Sequence, residues 1–211
     1  MTELPDLYET VAEEILCECH PREGVWVDLG AGAGGVGLAL ARRSTSAIVL
    51  IDPNLGALQK ALRSERESGL DKRVVAVAAK AEAIPLWGNC ADLVVSRGSI
   101  FFWKDRAQGL REVYRVLRPG GAAMIGGGLG ASYPEWARQE FTRRRYEQVK
   151  KGGSEAFRRF KEARSSLTFR RLAEEAGLID FEVAGDGAAD PDSPRAGLGI
   201  WLRFGKEEET T

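Results

Sequence analysis

Apolar, β-prone runs alternate with segments of helical period along most of this 211-residue chain, and no other feature restricts its possible folds so strongly. "VWVDLG" is followed by "GVGLALARR", "AIVLID" by "LGALQKALRSERESGL", and "VVAVAA" comes next. "ADLVVSRG" reads as a fourth strand. A helix is predicted over Asp105 to Leu117, with Leu110, Val113, Tyr114 and Leu117 on one face, and "AAMIGGG" follows the turn "RPGG" as a fifth strand. Parallel strands need a crossover long enough to hold a helix, so the pattern predicts an α/β fold with a doubly wound sheet.

The order changes near the end. A helix "TFRRLAEEAG" leads into "FEVAG", and a loop rich in Gly, Asp and Pro separates that strand from "LGIWLRF". Two final strands joined without a helix imply an antiparallel pair at one edge, hence a seven-stranded mixed sheet with an antiparallel last strand. Between the fifth strand and the helix before "FEVAG" the chain spends residues 131–164 where a few would suffice. These residues are expected to form a helical insertion that caps a site, a lid on a single domain spanning 1–211.

In such a fold the turn after the first strand opens at the carboxyl ends of the strands, where ligands bind at the switch in strand order. That turn reads "VDLGAGAGG", residues 27–35. Gly30 and Gly32 let the backbone approach a ligand, while Gly34 and Gly35 admit the tight turn and close helix packing. The glycines alone do not choose a ligand. Gly30, Gly32 and Gly35 satisfy the dinucleotide pattern G-x-G-x-x-G, and Gly30, Gly32 and Gly34 satisfy G-x-G-x-G as well. Asp52 ends the second strand, placed to accept hydrogen bonds from ribose hydroxyls, which nicotinamide and adenosyl cofactors both carry. Its bland alternative is a helix N-cap. Asp28 discriminates better: a carboxylate there repels a pyrophosphate and suits a cationic amino acid moiety.

Composition narrows the partners. With 44% hydrophobic and 29% charged residues and a net charge of −1, the chain has no general attraction to nucleic acid or to an acidic membrane surface, so a small-molecule partner is expected. No apolar stretch approaches the roughly 18 residues of a membrane span, and "MTELPDLYET" lacks the basic and apolar regions of a signal peptide. A cytoplasmic location is the expectation, and three cysteines suit a reducing compartment. Cys17, Cys19 and His20 cluster, yet no second Cys/His pair completes a tetrahedron, so no metal is expected. The stretch reads as a helix end with buried thiols and His20 as a boundary residue rather than a base.

Taken in order, "VDLGAGAGG", "IDPN", "AEAIPLWGNCADLVVSRGSIFFW" and "YRVLRPGGAAMI" resemble the class I S-adenosylmethionine-dependent methyltransferases. The likeness is to their small-molecule branch, which includes the ubiquinone and menaquinone biosynthesis enzymes, and it spans about Val25 to Ile125. It implies a Rossmann-like fold and S-adenosyl-L-methionine as cofactor. By the same resemblance Asp28, Gly30, Ala31 and Gly32 line the methionine end, Asp52 binds the ribose, and Pro53 lies beside the adenine. Ala81 and Glu82 fall where the family contacts adenine, and Ser96 and Arg97 end the fourth strand beside the donor. One departure stands out: Lys80 precedes the "AE" pair, where the family often has an aspartate that bonds the adenine amino group, and lysine cannot accept that bond.

Methyl transfer from a sulfonium is an in-line displacement that proximity, orientation and exclusion of water can accelerate without an acid/base dyad. The stretch "SRGS" after the fourth strand lacks the Asn/Asp-Pro-Pro-aromatic signature of nucleobase and amide methylation, which leaves a small, partly apolar acceptor as the expectation. Phe101, Phe102 and Trp103 are candidate acceptor contacts, with Tyr133 and Trp136 from the insertion. From Glu135 to Arg164 ten Lys/Arg stand against five Glu, a pattern read as a solvated helix face, with attraction of an anionic acceptor as the alternative. Arg97 is open between holding the donor carboxylate and a structural ion pair. Two other functions fit less of the sequence: a cofactor-binding module without catalysis, and an NAD-dependent oxidoreductase.

Overall fold

A computed structural model of the chain describes residues 3–70, 73–190, 192 and 198–208. Seven strands form one sheet: β1 (Val25–Leu29), β2 (Ala47–Ile51), β3 (Val74–Val77), β4 (Ala91–Arg97), β5 (Leu117–Gly127), β6 (Phe181–Ala184) and β7 (Ile200–Gly205). They lie in the order β3-β2-β1-β4-β5-β7-β6. The first five are parallel, and β7 runs antiparallel between β5 and β6. The strand order reverses beside β1, so the carboxyl ends of β1 and β4 splay apart into a crevice at the switch point.

Strand alternation divides the interior in two. Val27, Leu29, Val49, Ile51 and Val94 face α4 (Arg106–Val116) and α7 (Ser166–Ala176), while Trp26, Ile48, Leu50, Leu93 and Val95 face α1 (Tyr8–Cys19), α2 (Gly35–Arg42) and α3 (Leu55–Glu67). Central strands buried on both faces read as unbroken apolar runs, which is why "AIVLI" and "ADLVV" look as they do.

Two predicted boundaries move. The helix predicted through Leu117 stops at Val116, because Leu117 has turned extended (ψ 134°) and already pairs with Ala91. The turn "RPGG" is a bulge inside β5: pairing jumps from Ala91 with Leu117 to Leu93 with Ala122. The cysteine stretch is half as read. Cys19 is largely buried, but Cys17 is exposed, and His20 closes α1 in the left-handed conformation (φ 42°). Among the described residues no group of three His, Cys, Asp or Glu comes together to hold a metal, and no helix is long and apolar enough to cross a membrane.

Residues 131–164 leave the sheet as two helices, α5 (Glu135–Lys150) and α6 (Ser154–Glu162), separated at Gly152 and Gly153. Ala137 and Arg138 are the buried residues of α5, and α6 has none. Tyr146 of α5 meets Phe157 and Phe160 of α6 edge-on, with ring centroids 5.3 and 6.2 Å apart.

Candidate functional site

The turn after β1 is pinned to β2. The amides of Gly30 and Ala31 both donate to the carbonyl of Ile51, at 2.7 and 3.0 Å, and Gly32 donates to the Asp52 carboxylate at 2.9 Å. Gly30 has φ +72°, and a Cβ there would lie 2.1 Å from the Cβ of Ser99. A Cβ on Gly32 would meet nothing within 4 Å, so space does not require glycine there, but its φ of +55° favours it. Gly35 lets Tyr8 of α1 rest against α2, and Gly37 brings α2 onto Leu50 and Asp28, a close approach the sequence reading missed.

A cleft of about 520 Å³ opens at the carboxyl ends of the strands. Six of the ten residues expected around the donor line it: Gly30, Asp52, Pro53, Ala81, Glu82 and Arg97. The other four, Asp28, Ala31, Gly32 and Ser96, are not on its wall. Asp28 is 3% exposed and shares the α2 face of β1 with Trp26, and its carboxylate accepts the Gly37 amide at 2.8 Å. Burial first, and then repulsion from Asp52, push the Asp28 carboxyl up to about 7 against the lowering effect of that one bond. Ser96 is fully buried, its hydroxyl 2.6 Å from that of Ser99.

Asp52 takes no part in capping α3. Asn54 is the N-cap and accepts the Ala57 amide, while Asp52 accepts from Gly32 and Asn54 and keeps lone pairs toward the cleft. Glu82 receives the amides of Lys104 and Asp105 at 2.7 and 3.1 Å, which fixes the entry to α4. Partial burial raises its carboxyl, but those amides and the Lys80 charge bring it below the ordinary range. Lys80, exposed, lines the rim of the cleft.

Ser99 was not singled out by sequence, yet it organises the junction of β1 and β4. It donates to the Leu29 carbonyl at 3.0 Å and accepts Trp103 Nε1 at 3.0 Å. The signal was present in "SRGS", whose two serines flank a glycine at φ +81°. Of the two alternatives for Arg97, the structural ion pair is not formed among the described residues, and its Nε donates to the Gly128 carbonyl at 2.8 Å. Burial lowers its guanidinium pKa.

The aromatic candidates divide. Phe102 and Trp103 line the donor cleft, and Phe101 lines a smaller neighbouring cavity. Tyr133 and Trp136 reach neither. The Tyr133 ring is buried with Leu129 and Ala137, its hydroxyl donating to the Pro5 carbonyl at 3.1 Å, and Trp136 is half exposed on the outer side of α5. Phe141, Arg145 and Arg164, which the sequence reading did not name as acceptor contacts, line that smaller cavity.

Residues 27–125 match a family model described as a methyltransferase domain. Dimethylglycine N-methyltransferase of Parasynechococcus marenigrum is 38% identical over 106 residues, 50% of this chain and 38% of that protein. A ubiquinone/menaquinone biosynthesis C-methyltransferase of Geobacter sulfurreducens is 33% identical over 101 residues, 47% of this chain and 40% of that one. The chain thus spans about two fifths of the length of these curated relatives. A crystal structure from Methanococcus maripaludis, assigned to the S-adenosyl-L-methionine-dependent methyltransferases, superposes with a TM-score of 0.77 at 28% identity, covering 97% of this chain and 87% of that one. In the order of its motifs, in its strand order and in these relatives, the chain is similar to the S-adenosylmethionine-dependent methyltransferases, and residues 27–125 carry the methyltransferase domain.

Proposed function

We propose that the chain transfers a methyl group from S-adenosyl-L-methionine to a small, partly apolar acceptor by in-line displacement. The observation that carries this reading is the cleft at the strand switch, where the Asp52 carboxylate shares a wall with Gly30, Pro53 and Ala81 and leaves room for a nucleoside. When bound, the donor supplies an electrophilic methyl group on a sulfonium, which the lone pair of the acceptor takes as the sulfur leaves as a neutral thioether.

The chain's own part is binding, orientation and exclusion of water. Asp52 holds the ribose hydroxyls, Pro53 and Ala81 flank the adenine, and Gly30, Ala31 and Gly32 present backbone to the methionine portion. Asp28 and Ser96 act from behind the wall: Asp28 fixes the start of α2, and Ser96 holds Ser99. Glu82 shapes the adenine end through the entry to α4, and Arg97 offers a charge unmatched by any carboxylate among the described residues. Residues 131–164 act as the lid of the single domain, with Phe102 and Trp103 at its mouth.

Calorimetry with S-adenosyl-L-methionine and S-adenosylhomocysteine tests this. Both should bind saturably, and Asp52→Ala should weaken them at least about tenfold, since a carboxylate bond to ribose is charge-assisted. Absence of binding by the wild-type chain defeats the reading.

A further inference from the structure

Beside the donor cleft lies a second cavity of about 190 Å³. It shares Arg97, Gly98 and Phe102 with the cleft, and Phe141 and Arg145 of α5 close it together with Arg164. Three arginines line it, and among the described residues no Asp or Glu does.

The partners of these arginines are neutral. Arg97 donates to the Gly128 carbonyl, Arg145 donates to Gln148 Oε1 at 2.9 Å, and Arg164 stacks over the rings of Phe101 and Phe160 at 3.7 and 4.0 Å. None of the three forms an ion pair among the described residues. Elsewhere in the same segment the carboxylates are taken: Arg143 pairs with Glu140 and Glu147, Arg158 with Glu155 and Glu162, Arg159 with Glu155, and Arg138 with Asp186. The positive excess from Glu135 to Arg164 is therefore not spread evenly over a solvated face. Arg145 and Arg164 line the cavity and, among the described residues, have no counter-charge.

Burial, and then the nearby charges of Arg145 and Arg106, hold the Arg164 guanidinium below its ordinary range. Gathering like charges in a partly dry cavity is costly, and an oxyanion relieves that cost by charge-assisted, bidentate bonds. Phe101, Phe102 and Phe141 supply the apolar remainder. An apolar cavity of about 150 Å³ is enough for one benzene ring.

We infer that this cavity is the acceptor subsite, and that it takes a small unsaturated acid whose carboxylate or phosphate monoester is held by Arg145 and Arg164 while its flat body lies among Phe101, Phe102 and Phe141. The word acceptor rests on the methyl-transfer reading; recognition of the anion does not.

The test titrates the protein, alone and loaded with S-adenosylhomocysteine, with benzoate, phenyl phosphate and neutral benzamide, followed by calorimetry and ligand-observed NMR. At least one anion should bind saturably and benzamide about tenfold more weakly or worse. Arg145→Met and Arg164→Met should each cost about tenfold for the anion and leave benzamide unchanged, whereas Arg143→Met, on the outer face, should change nothing. Preference between benzoate and phenyl phosphate identifies the oxyanion. If Arg164→Met fails to fold, Arg145→Met still decides the matter.

Equal binding of benzamide, no saturable anion binding, or an equal loss in Arg143→Met overturns the inference. The cofactor titration separates it from the reading it builds on. Homocysteine-nucleoside binding without anion binding defeats the subsite alone; anion binding without the nucleoside defeats methyl transfer, and with it the acceptor role.

Discussion

Gly30 shows how one missing Cβ sets the geometry of the candidate site. Its φ of +72° puts it in the left-handed region, and the space a side chain would occupy holds the Cβ of Ser99. Gly30→Ala should lower stability by about 2–4 kcal/mol, from overpacking plus left-handed strain, and weaken donor binding. Because the clash is with Cβ, adding Ser99→Gly should recover part of the thermal midpoint, whereas adding Ser99→Ala should not. Equal recovery by both would refute the steric account. The glycine pattern itself was legible, since the spacing of Gly30, Gly32 and Gly34 follows from backbone needs alone. The orientation of Asp28 was also within reach: period-two alternation puts it with Trp26, on the α2 face and off the cleft wall. Ser99 was not legible, because its role depends on β1 and β4 being neighbours.

Among the elements, α1 carries a group that titrates near neutrality. Glu14 is 3% exposed; one of its oxygens accepts the Gly187 amide, and the other has no hydrogen-bond partner among the described residues. Burial first, and then the charge of Asp186, push its carboxyl up to about 7, against the lowering effects of that amide, Arg138 and Arg203. A carboxyl held above its ordinary value of 4.5 binds protons more tightly folded than unfolded, so its contribution is full below about pH 4.5 and is lost as pH rises through 7. Glu14→Gln removes this titration. Its thermal midpoint should exceed that of the wild type at pH 8, by the equivalent of roughly 1–3 kcal/mol, and the difference should vanish near pH 4. A constant offset at both pH values would mean that the effect is packing. Asp28 titrates in the same range but is common to both proteins, so the comparison isolates Glu14. The existence of α1 was visible as a terminal helix; the burial of an acid on it was not, because the Asp186–Ala188 turn that covers Glu14 lies 173 residues away.

At the scale of the whole molecule, the sheet and the excursion over residues 131–164 differ in how they are held. The seven-stranded sheet was readable from alternation because each central strand must be apolar on both faces. The inward turn of Arg145 was not readable: Arg143, Arg144 and Arg145 are consecutive, so each points about 100° from the next, and the choice among them depends on which face of α5 packs. That face is set at one end, where Arg138 pairs with the buried Asp186 and donates to the Gly130 carbonyl. Asp186 also receives Trp201 Nε1 of β7, and Gly128 leaves room for both groups. The far end has no such anchor, since α6 buries no residue and leans on Tyr146 of α5. Local stability follows buried contacts, so amide hydrogen exchange should be slowest in β1 and β4, intermediate over 135–145, and fastest over 154–162. A ligand that engages Arg145 and Arg164 ties this loose end to the cavity floor. Benzoate or phenyl phosphate should therefore slow exchange in α6 and leave α3, which lines neither cavity, unchanged. Uniform slowing across the chain would report global stabilisation instead and remove α6 from any part in closing the site.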